Sequence, residues 1–359
     1  MRVGPRAAAF AREGTHRELV AAERLQYHAG NDSSCLASRR MHFMTSPEAS
    51  RRGSAEDKMV SLASPRGTPS ASVIIVNYKA YAELDACLTS LLTGSPVDPE
   101  VIVVDHSSSA ADLERLKATH PPFKTAPAAG NPGFSSGVNV GARLASCRYL
   151  LILNPDTQLR AGALGDMLCY LDAHPETAVV GARVEDPGGT VQRSARRFPT
   201  MLTGLAGRSS LFTRLWPGNP LSRRDVLADA TTATPREVDW VAGSCMAVRA
   251  EAFRQVGGMD EQFFLYWEDA DLCKRLGAVG WRTVYLPSAV VVHGVGRSRR
   301  HARSLSVRAF HRSAYLYFAK HRAGRCSALT LPVAWTILNA RMLVMLGVQA
   351  ITRTDWSER

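Results

Sequence analysis

Three features of the chain between Ser72 and Gly296 predict an α/β fold, with a central, mostly parallel sheet flanked by helices. Short β-branched apolar runs such as SVIIVN and EVIVVD are bounded by polar turns, as strands buried on both faces are. Stretches of helical spacing alternate with these runs, the pattern of strand-helix-strand units. Acids stand just past two of the runs, Asp105 and Asp156, at the carboxyl ends where ligands of such sheets gather.

The elements follow in order. SVIIVNY from Ser72 is the first strand, and LDACLTSLL carries the helix behind it. EVIVVDHSSS is the second strand, with Ser107, Ser108 and Ser109 available to cap a helix around Ala111 to Ala118. NPGFSSGVNVGARLAS sets glycines before a third helix, and YLLILNPDTQL is a strand ending in polar residues. A helix from Leu164 through His174 leads into AVVGARVEDPGG, a strand entering a turn. Residues 199–236 show Pro, Gly and Arg without a period, which suits a mobile loop over a site. VDWVAGSCMAVRAEAFRQVGGMDEQFF reads as strand, helix and Gly-Gly stop, and TVYLPSAVVVHGVG as strand, turn, strand, ending near His293. No internal repeat is visible.

At 359 residues, with 45% hydrophobic and 21% charged, the chain has the composition of a globular protein with room for one large domain and appendages. Three regions are expected: a disordered extension over 1–70, the α/β unit over 71–296, and a basic, partly apolar helical arm over 297–359. The extension is rich in Arg, Ser and Ala, with no helical stripe or strand alternation, and Met59 is an alternative start within it. Seven scattered cysteines with no CxxC pair fit a reducing cytosol, and the N-terminus carries no secretory signal.

The formal net charge of +12 is unevenly placed. Residues 1–70 hold 11 Lys+Arg against 7 Asp+Glu, residues 71–293 hold 21 against 23, and residues 294–359 hold 12 against 2. The positive field therefore belongs to the arm, where it favours anionic lipid or lipid-linked phosphate. Nucleic acid is disfavoured, because motif spacing for base recognition is lacking. The apolar stretch SALTLPVAWTILNARMLVML is interrupted by Asn339 and Arg341, so the arm is expected to lie in a membrane interface without spanning it.

Four groups of residues carry candidate chemistry. Asp105, at the end of VIVV, either accepts hydrogen bonds from a ligand's base or ribose or is a loop acid. Asn154 and Asp156 in LLILNPD hold a divalent cation or simply make the Asn-Pro-Asp turn. His293 at a strand end is structural, or closes one metal site with Asp156 if the fold brings the two together. In FFLYWEDADL the acids Glu268, Asp269 and Asp271 complement a helix N-terminus or do acid-base work, and Asp271 is placed to pair with Arg275 one turn on. The aromatic run before them offers a face for a sugar ring or packs in the core.

Taken in succession, strand-Asp105, the NPG segment, strand-NPD, GSCMAVRAEAFRQVGGMDEQFF, the WEDADL cluster and the strand-end histidine resemble the family 2 glycosyltransferases of GT-A fold, over roughly Ser72 to Gly296. ARVEDPGGTVQRSARRFPT, the WPGNP turn and the basic tail look most like the rhamnosyltransferase branch of actinobacterial cell-wall assembly. The resemblance implies that Val76, Asn77, Tyr78 and Asp105 hold the nucleotide base, with Gly133, Asn139 and Asn154 also on the nucleotide sugar. It further implies that Asp156, as the last acid of the DxD motif, and His293 hold Mg2+ or Mn2+, that Asp269 is the general base, and that Glu268 shapes the acceptor site. The chain departs from the family pattern at Asn154 in the first place of DxD, at His106 where Asn is usual, and at Ser135, Ser136 and Val138 in a stretch usually richer in Gly and Asn.

The implied activity is inverting transfer of a sugar to a hydroxyl of a lipid-linked or cell-envelope glycan. Rhamnose from dTDP-rhamnose and polyprenyl-diphosphate-GlcNAc are the expected donor and acceptor. The implied place is the inner face of the plasma membrane, peripherally bound. The alternative is a catalytically silent nucleotide-binding scaffold of envelope assembly, against which the intact Glu268-Asp269 pair speaks. A dinucleotide-dependent oxidoreductase is disfavoured because no GxGxxG follows the first strand.

Overall fold

The structure is a computed structural model that describes residues 71–93, 98–107, 109–127, 130–200, 227, 231–294, 303–321 and 327–352. The expected N-terminal extension and most of the irregular 199–236 stretch lie outside the described residues.

Strands β1 (Ser72–Asn77), β2 (Glu100–Asp105), β3 (Lys124–Pro127) and β4 (Tyr149–Leu153) are parallel, and helices α1 (Tyr81–Thr93), α2 (Ala110–Thr119) and α3 (Phe134–Leu144) connect them. β1 and β4 are buried along their whole length, as strands apolar on both faces must be. The chain continues through β5 (Thr157–Leu159), α4 (Ala163–Ala173), β6 (Thr177–Glu185), β7 (Ala195–Arg196), β8 (Arg236–Val238), β9 (Trp240–Val241) and β10 (Cys245–Arg249). α5 (Ala250–Gln255), α6 (Glu268–Ala278) and β11 (Arg282–His293) complete the unit.

The main sheet has the order β3-β2-β1-β4-β10-β6-β11-β5, with β8 added on β11, while β7 and β9 form a small separate sheet. β10 runs antiparallel to both its neighbours, β4 and β6. Leu84, Leu88, Met167 and Leu171 of α1 and α4 pack on one face of the sheet. Val138, Phe253, Leu272 and Leu276 of α3, α5 and α6 pack on the other, against Ile74, Ile152 and Met246. α3 lies unusually close to β1: a methyl added at Gly141 would come within 2.4 Å of Ile74 Cγ2.

The structure differs from the expected pattern in two places. The last strand unit, expected as strand, turn, strand, is one strand of 12 residues whose pairing with β6 shifts between Leu286 and Val290. Pro287 has no N–H to give to the ladder, so the strand bulges there and continues. In the arm, α7 (Arg303–His321) and α8 (Ser327–Thr352) are helical as expected, but Thr330–Gln349 is long and apolar enough to cross a membrane by length and composition. Asn339 interrupts that stretch less than its polarity suggests, because its Nδ2 donates back to Trp335 O at 2.8 Å within the helix.

α8 is not apolar surface all round. Ala334 and Leu338 are buried, Leu338 in a cluster with Phe263, Ala270, Tyr317 and Phe318, whereas Val333, Trp335, Ile337, Leu343 and Val344 are exposed.

Gly141→Ala is expected to lower stability by about 1–3 kcal/mol through overpacking against Ile74. The check is a fall in the urea midpoint at unchanged slope, which marks a loss of stability rather than of compactness.

Candidate active site

β1 and β2 end together, with Asn77 and Asp105 in register. Asp105 is fully buried, and its carboxylate accepts from Asn77 Nδ2, Tyr81 Oη and Ser107 Oγ, each at 2.8 Å. Three donors are what make a buried acid without a salt bridge tolerable. Tyr81 carries no spacing signal that would have marked it; it reaches Asp105 because the first turn of α1 folds back over the strand end. Ser109 caps α2, accepting from Asp112 N, as the serine run predicted. Tyr78 presents an exposed ring beyond the strand, and Val76 is buried under Gly137 of α3, where an added methyl would meet Val76 Cγ1 at 2.6 Å.

The start of α3 is tied to the aromatic run. Gly133 has φ 106, a methyl there would stand 2.6 Å from Phe264 O, and Phe134 N donates to that same oxygen at 2.8 Å. Asn139, expected at the nucleotide, has its amide committed to the fold. Its Oδ1 accepts from Met259 N at 2.9 Å, and its Nδ2 donates to Met259 O at 2.8 Å and Glu261 Oε1 at 2.9 Å.

At the next strand end the Asn-Pro-Asp segment does make its turn, with Thr157 N donating to Asn154 O at 3.1 Å. The same turn places Asp156 beside His293, because β5 pairs antiparallel with the end of β11 and sets Thr157 opposite His293. His293 Nε2 lies 3.2 Å from Asp156 Oδ1, and both side chains are nearly buried. Gln192 orients the ring: its Nε2 donates to His293 O at 3.1 Å, leaving Oε1 facing His293 Nδ1 at 3.4 Å. An imidazole nitrogen and a carboxylate oxygen are both donor types that suit a divalent cation, and here they stand within contact of one another. They stand as a pair, since no group of three or more such side chains occurs among the described residues.

The acids of the opening turn of α6 form the third corner. Asp269 Oδ2 accepts from Gly243 N at 3.0 Å and Oδ1 from Ala270 N at 2.8 Å. The next residue, Ser244, offers its carbonyl to Asn154 N at 3.0 Å and to Thr157 Oγ1 at 3.2 Å. Two adjacent residues thus join the Asp156–His293 corner to Asp269. Glu268 is buried, and its Oε2 has no hydrogen-bond partner among the described residues.

Burial first, then the charge of Asp269, holds the Glu268 carboxyl well above the usual carboxylate range. Burial also raises Asp269, but the Gly243 and Ala270 N–H groups and the positive charge of Arg196 oppose it. The pair is therefore split: Glu268 keeps the proton and Asp269 ionises first. Asp271 behaves differently. Against burial, which would raise it, bonds from His321, Lys320 and Arg275 hold its carboxyl down to about 2. The expected Arg275 partner is present, with Nε 2.7 Å from Asp271 Oδ2. The aromatic run is largely core, with Phe263 buried and Trp267 packed beside it.

Residues 72–257, which carry both strand-end acids, match a known family model, Glycosyl transferase family 2. The chain is a family 2 glycosyltransferase. Residues 220–356 of the transferase also match the model of Glycosyl transferase family group 2. The transferase is 31% identical over 276 residues to the N-acetylglucosaminyl-diphospho-decaprenol L-rhamnosyltransferase of Mycobacterium tuberculosis, an alignment covering 74% of this chain and 88% of that one. It is 28% identical over 175 residues to the rhamnosyltransferase WbbL of Escherichia coli K12, covering 48% of this chain and 62% of that one. Among solved structures, a mannosyltransferase of Pyrobaculum calidifontis in complex with GDP-Man and Mn2+ aligns with a TM-score of 0.49 at 16% identity, covering 82% of this chain and 79% of that one. The transferase thus stands with the actinobacterial rhamnosyltransferases.

Glu268 is already neutral when Asp269 ionises. Glu268→Gln, a neutral side chain of the same shape, is accordingly expected to leave the acidic limb of the kcat/KM profile in place, measured by transfer rate across the range where carboxylates titrate.

Proposed function

We propose that the transferase moves rhamnose from dTDP-rhamnose to a hydroxyl of a polyprenyl-diphosphate-linked GlcNAc acceptor, with inversion at the anomeric carbon. The observation that carries this reading is the Gly243-Ser244 link, which sets Asp269 one residue from the carbonyl that anchors the Asp156–His293 corner. A proton acceptor and a place for a charged leaving group then face each other across one sugar. The mycobacterial relative, an N-acetylglucosaminyl-diphospho-decaprenol L-rhamnosyltransferase, supports both the sugar and the acceptor class.

Asp269 takes the proton of the acceptor hydroxyl as that oxygen bonds to the anomeric carbon. The bond from that carbon to the donor phosphate oxygen breaks, and the nucleoside diphosphate leaves with the electron pair. Glu268, protonated, lowers the negative charge beside the base and faces the acceptor. Val76, Asn77, Tyr78 and Asp105 hold the base of the nucleotide, Gly133 and Asn154 border the sugar diphosphate, and Asn139 supports this wall through Met259. Mg2+ or Mn2+ bound by Asp156 and His293 would neutralise diphosphate charge as a Lewis acid.

The arm supports a site on the inner face of the plasma membrane. α8 rests one side, through Leu338, on the protein and leaves Val333, Trp335, Ile337, Leu343 and Val344 exposed, which suits a helix lying in the interface. The exposed Arg308 and Arg312 of α7 add attraction to anionic lipid of about 1 kcal/mol each near the surface.

Asp269→Asn is expected to lower transfer by about 10²–10⁴-fold, the usual loss for a positioned base, while calorimetry finds dTDP binding unchanged. Asp156→Ala should instead weaken dTDP binding and its dependence on Mg2+ together. With liposomes containing anionic lipid, the full chain is expected to float, and the double variant Leu343→Asp, Val344→Asp to remain largely in the soluble fraction.

A further inference from the structure

Tyr266 and Trp267, directly before the acid pair, both have left-handed backbone, with φ of 69 and 72. For bulky side chains such torsions are sparsely populated and persist only where the surroundings hold them. The holding groups come from α7. The Trp267 ring packs against Phe310, Tyr317 and Phe318 with centroid distances of 5.7, 5.3 and 5.6 Å, and Tyr266 meets Phe310 at 5.8 Å. Ser313 Oγ donates to Leu265 O at 3.0 Å, fixing the backbone just upstream.

A second grip acts one half-turn further along α6. Asp271 has no solvent exposure, and its Oδ1 receives Lys320 Nζ at 2.8 Å and His321 Nε2 at 2.7 Å, both from the last turn of α7. Lys320 also reaches Asp260 Oδ2 at 2.6 Å, so the loop ahead of the aromatic run is drawn into the same cluster. On α6 itself, Arg275 takes the other oxygen of Asp271. Asp269 and Asp271 share one helical turn, so any rotation of α6 that relaxes the second moves the first.

We infer that Lys320 and His321 are positioning residues of the transfer reaction: acting through Asp271, they fix the rotation of α6 and so the direction in which Asp269 presents its carboxylate. The arm is then part of the catalytic unit as well as its attachment. The inference rests on Asp269 being the base. A buried carboxylate that needed only charge balance would have it from Arg275; Lys320 and His321, both from α7, add a fixed direction. Removing them loosens the base without touching the residues assigned to the nucleotide base, which lie at the ends of β1 and β2.

The test uses the full chain, assayed with dTDP-rhamnose and a polyprenyl-diphosphate-GlcNAc acceptor. The double variant Lys320→Met, His321→Ala is expected to lose on the order of 10–100-fold in kcat, the scale of a misplacement of about 1 Å, at unchanged donor KM and unchanged dTDP binding. His321→Gln, which keeps an N–H for Asp271, should retain most of the wild-type kcat. If the double variant fails to fold, Asp271→Asn keeps the side-chain shape while removing the charge, and the same split of lowered kcat at unchanged donor KM is expected. Wild-type kcat in the folded double variant or in Asp271→Asn, with only the melting temperature lowered, overturns the inference. Failure of the underlying reading looks different, because Asp269→Asn itself would then keep wild-type turnover.

Discussion

The insertion of one antiparallel strand, β10, between the parallel strands β4 and β6 sets the geometry of the whole acidic end. A parallel strand at that place would bring its carboxyl end to the edge where β1, β2 and β4 finish. β10 brings its amino end there instead, and with it the tight Gly243-Ser244 segment. The Ser244 carbonyl faces the turn after β4, and the Gly243 N–H faces the start of α6. Two backbone groups of adjacent residues at a strand start thereby take the role of a crossbar. The distance between the two acidic corners is fixed by main chain, which rotamer changes leave in place.

Electrostatics then distinguishes three carboxylates that are close neighbours in sequence. Glu268 has burial and a like charge against it and no donor on Oε2 among the described residues, so it holds its proton. Asp269 has two N–H donors and the field of Arg196. Asp271 has Lys320 and Arg275 beside it and a hydrogen bond with His321, and is the strongest acid of the set, at about 2. A carboxyl with a depressed value stabilises the fold fully above its ordinary range, and that contribution is lost as the pH falls toward the folded value. The Asp271 carboxylate therefore stays ionised over the pH range in which Glu268 and Asp269 titrate.

Local chemistry in the sequence was enough to find most of the frame. Each buried run became a strand because β-branched residues on both faces admit little else, and the helices followed from spacing. The pairing of Asp156 with His293 was legible only as a possibility, since it depends on β5 lying against β11, more than a hundred residues away. Gln192, Gly243, Lys320 and His321 left no mark in their own neighbourhoods: each acts across the fold, through one hydrogen bond or ion pair, on a residue that did. Asp271 shows the same division within a single side chain. Its bond to Arg275 is a helical spacing that can be read directly, while its bonds to α7 require knowing where the arm turns back. Pro287 misled in the opposite sense, as a turn signal that a bulge absorbed.

The aromatic seam between Trp267 and α7 also gives the chain a schedule. Synthesis runs from the amino end, so the sheet, the ends of β1 and β2 and both Asp156 and His293 are complete while the rings that brace Tyr266 and Trp267 have yet to be made. The turn bearing the acid pair acquires its support only when residues 303–321 emerge, and α8 with its exposed apolar side follows directly. Bracing of the acid-bearing turn and emergence of the apolar helix are thus adjacent events in the life of a nascent molecule.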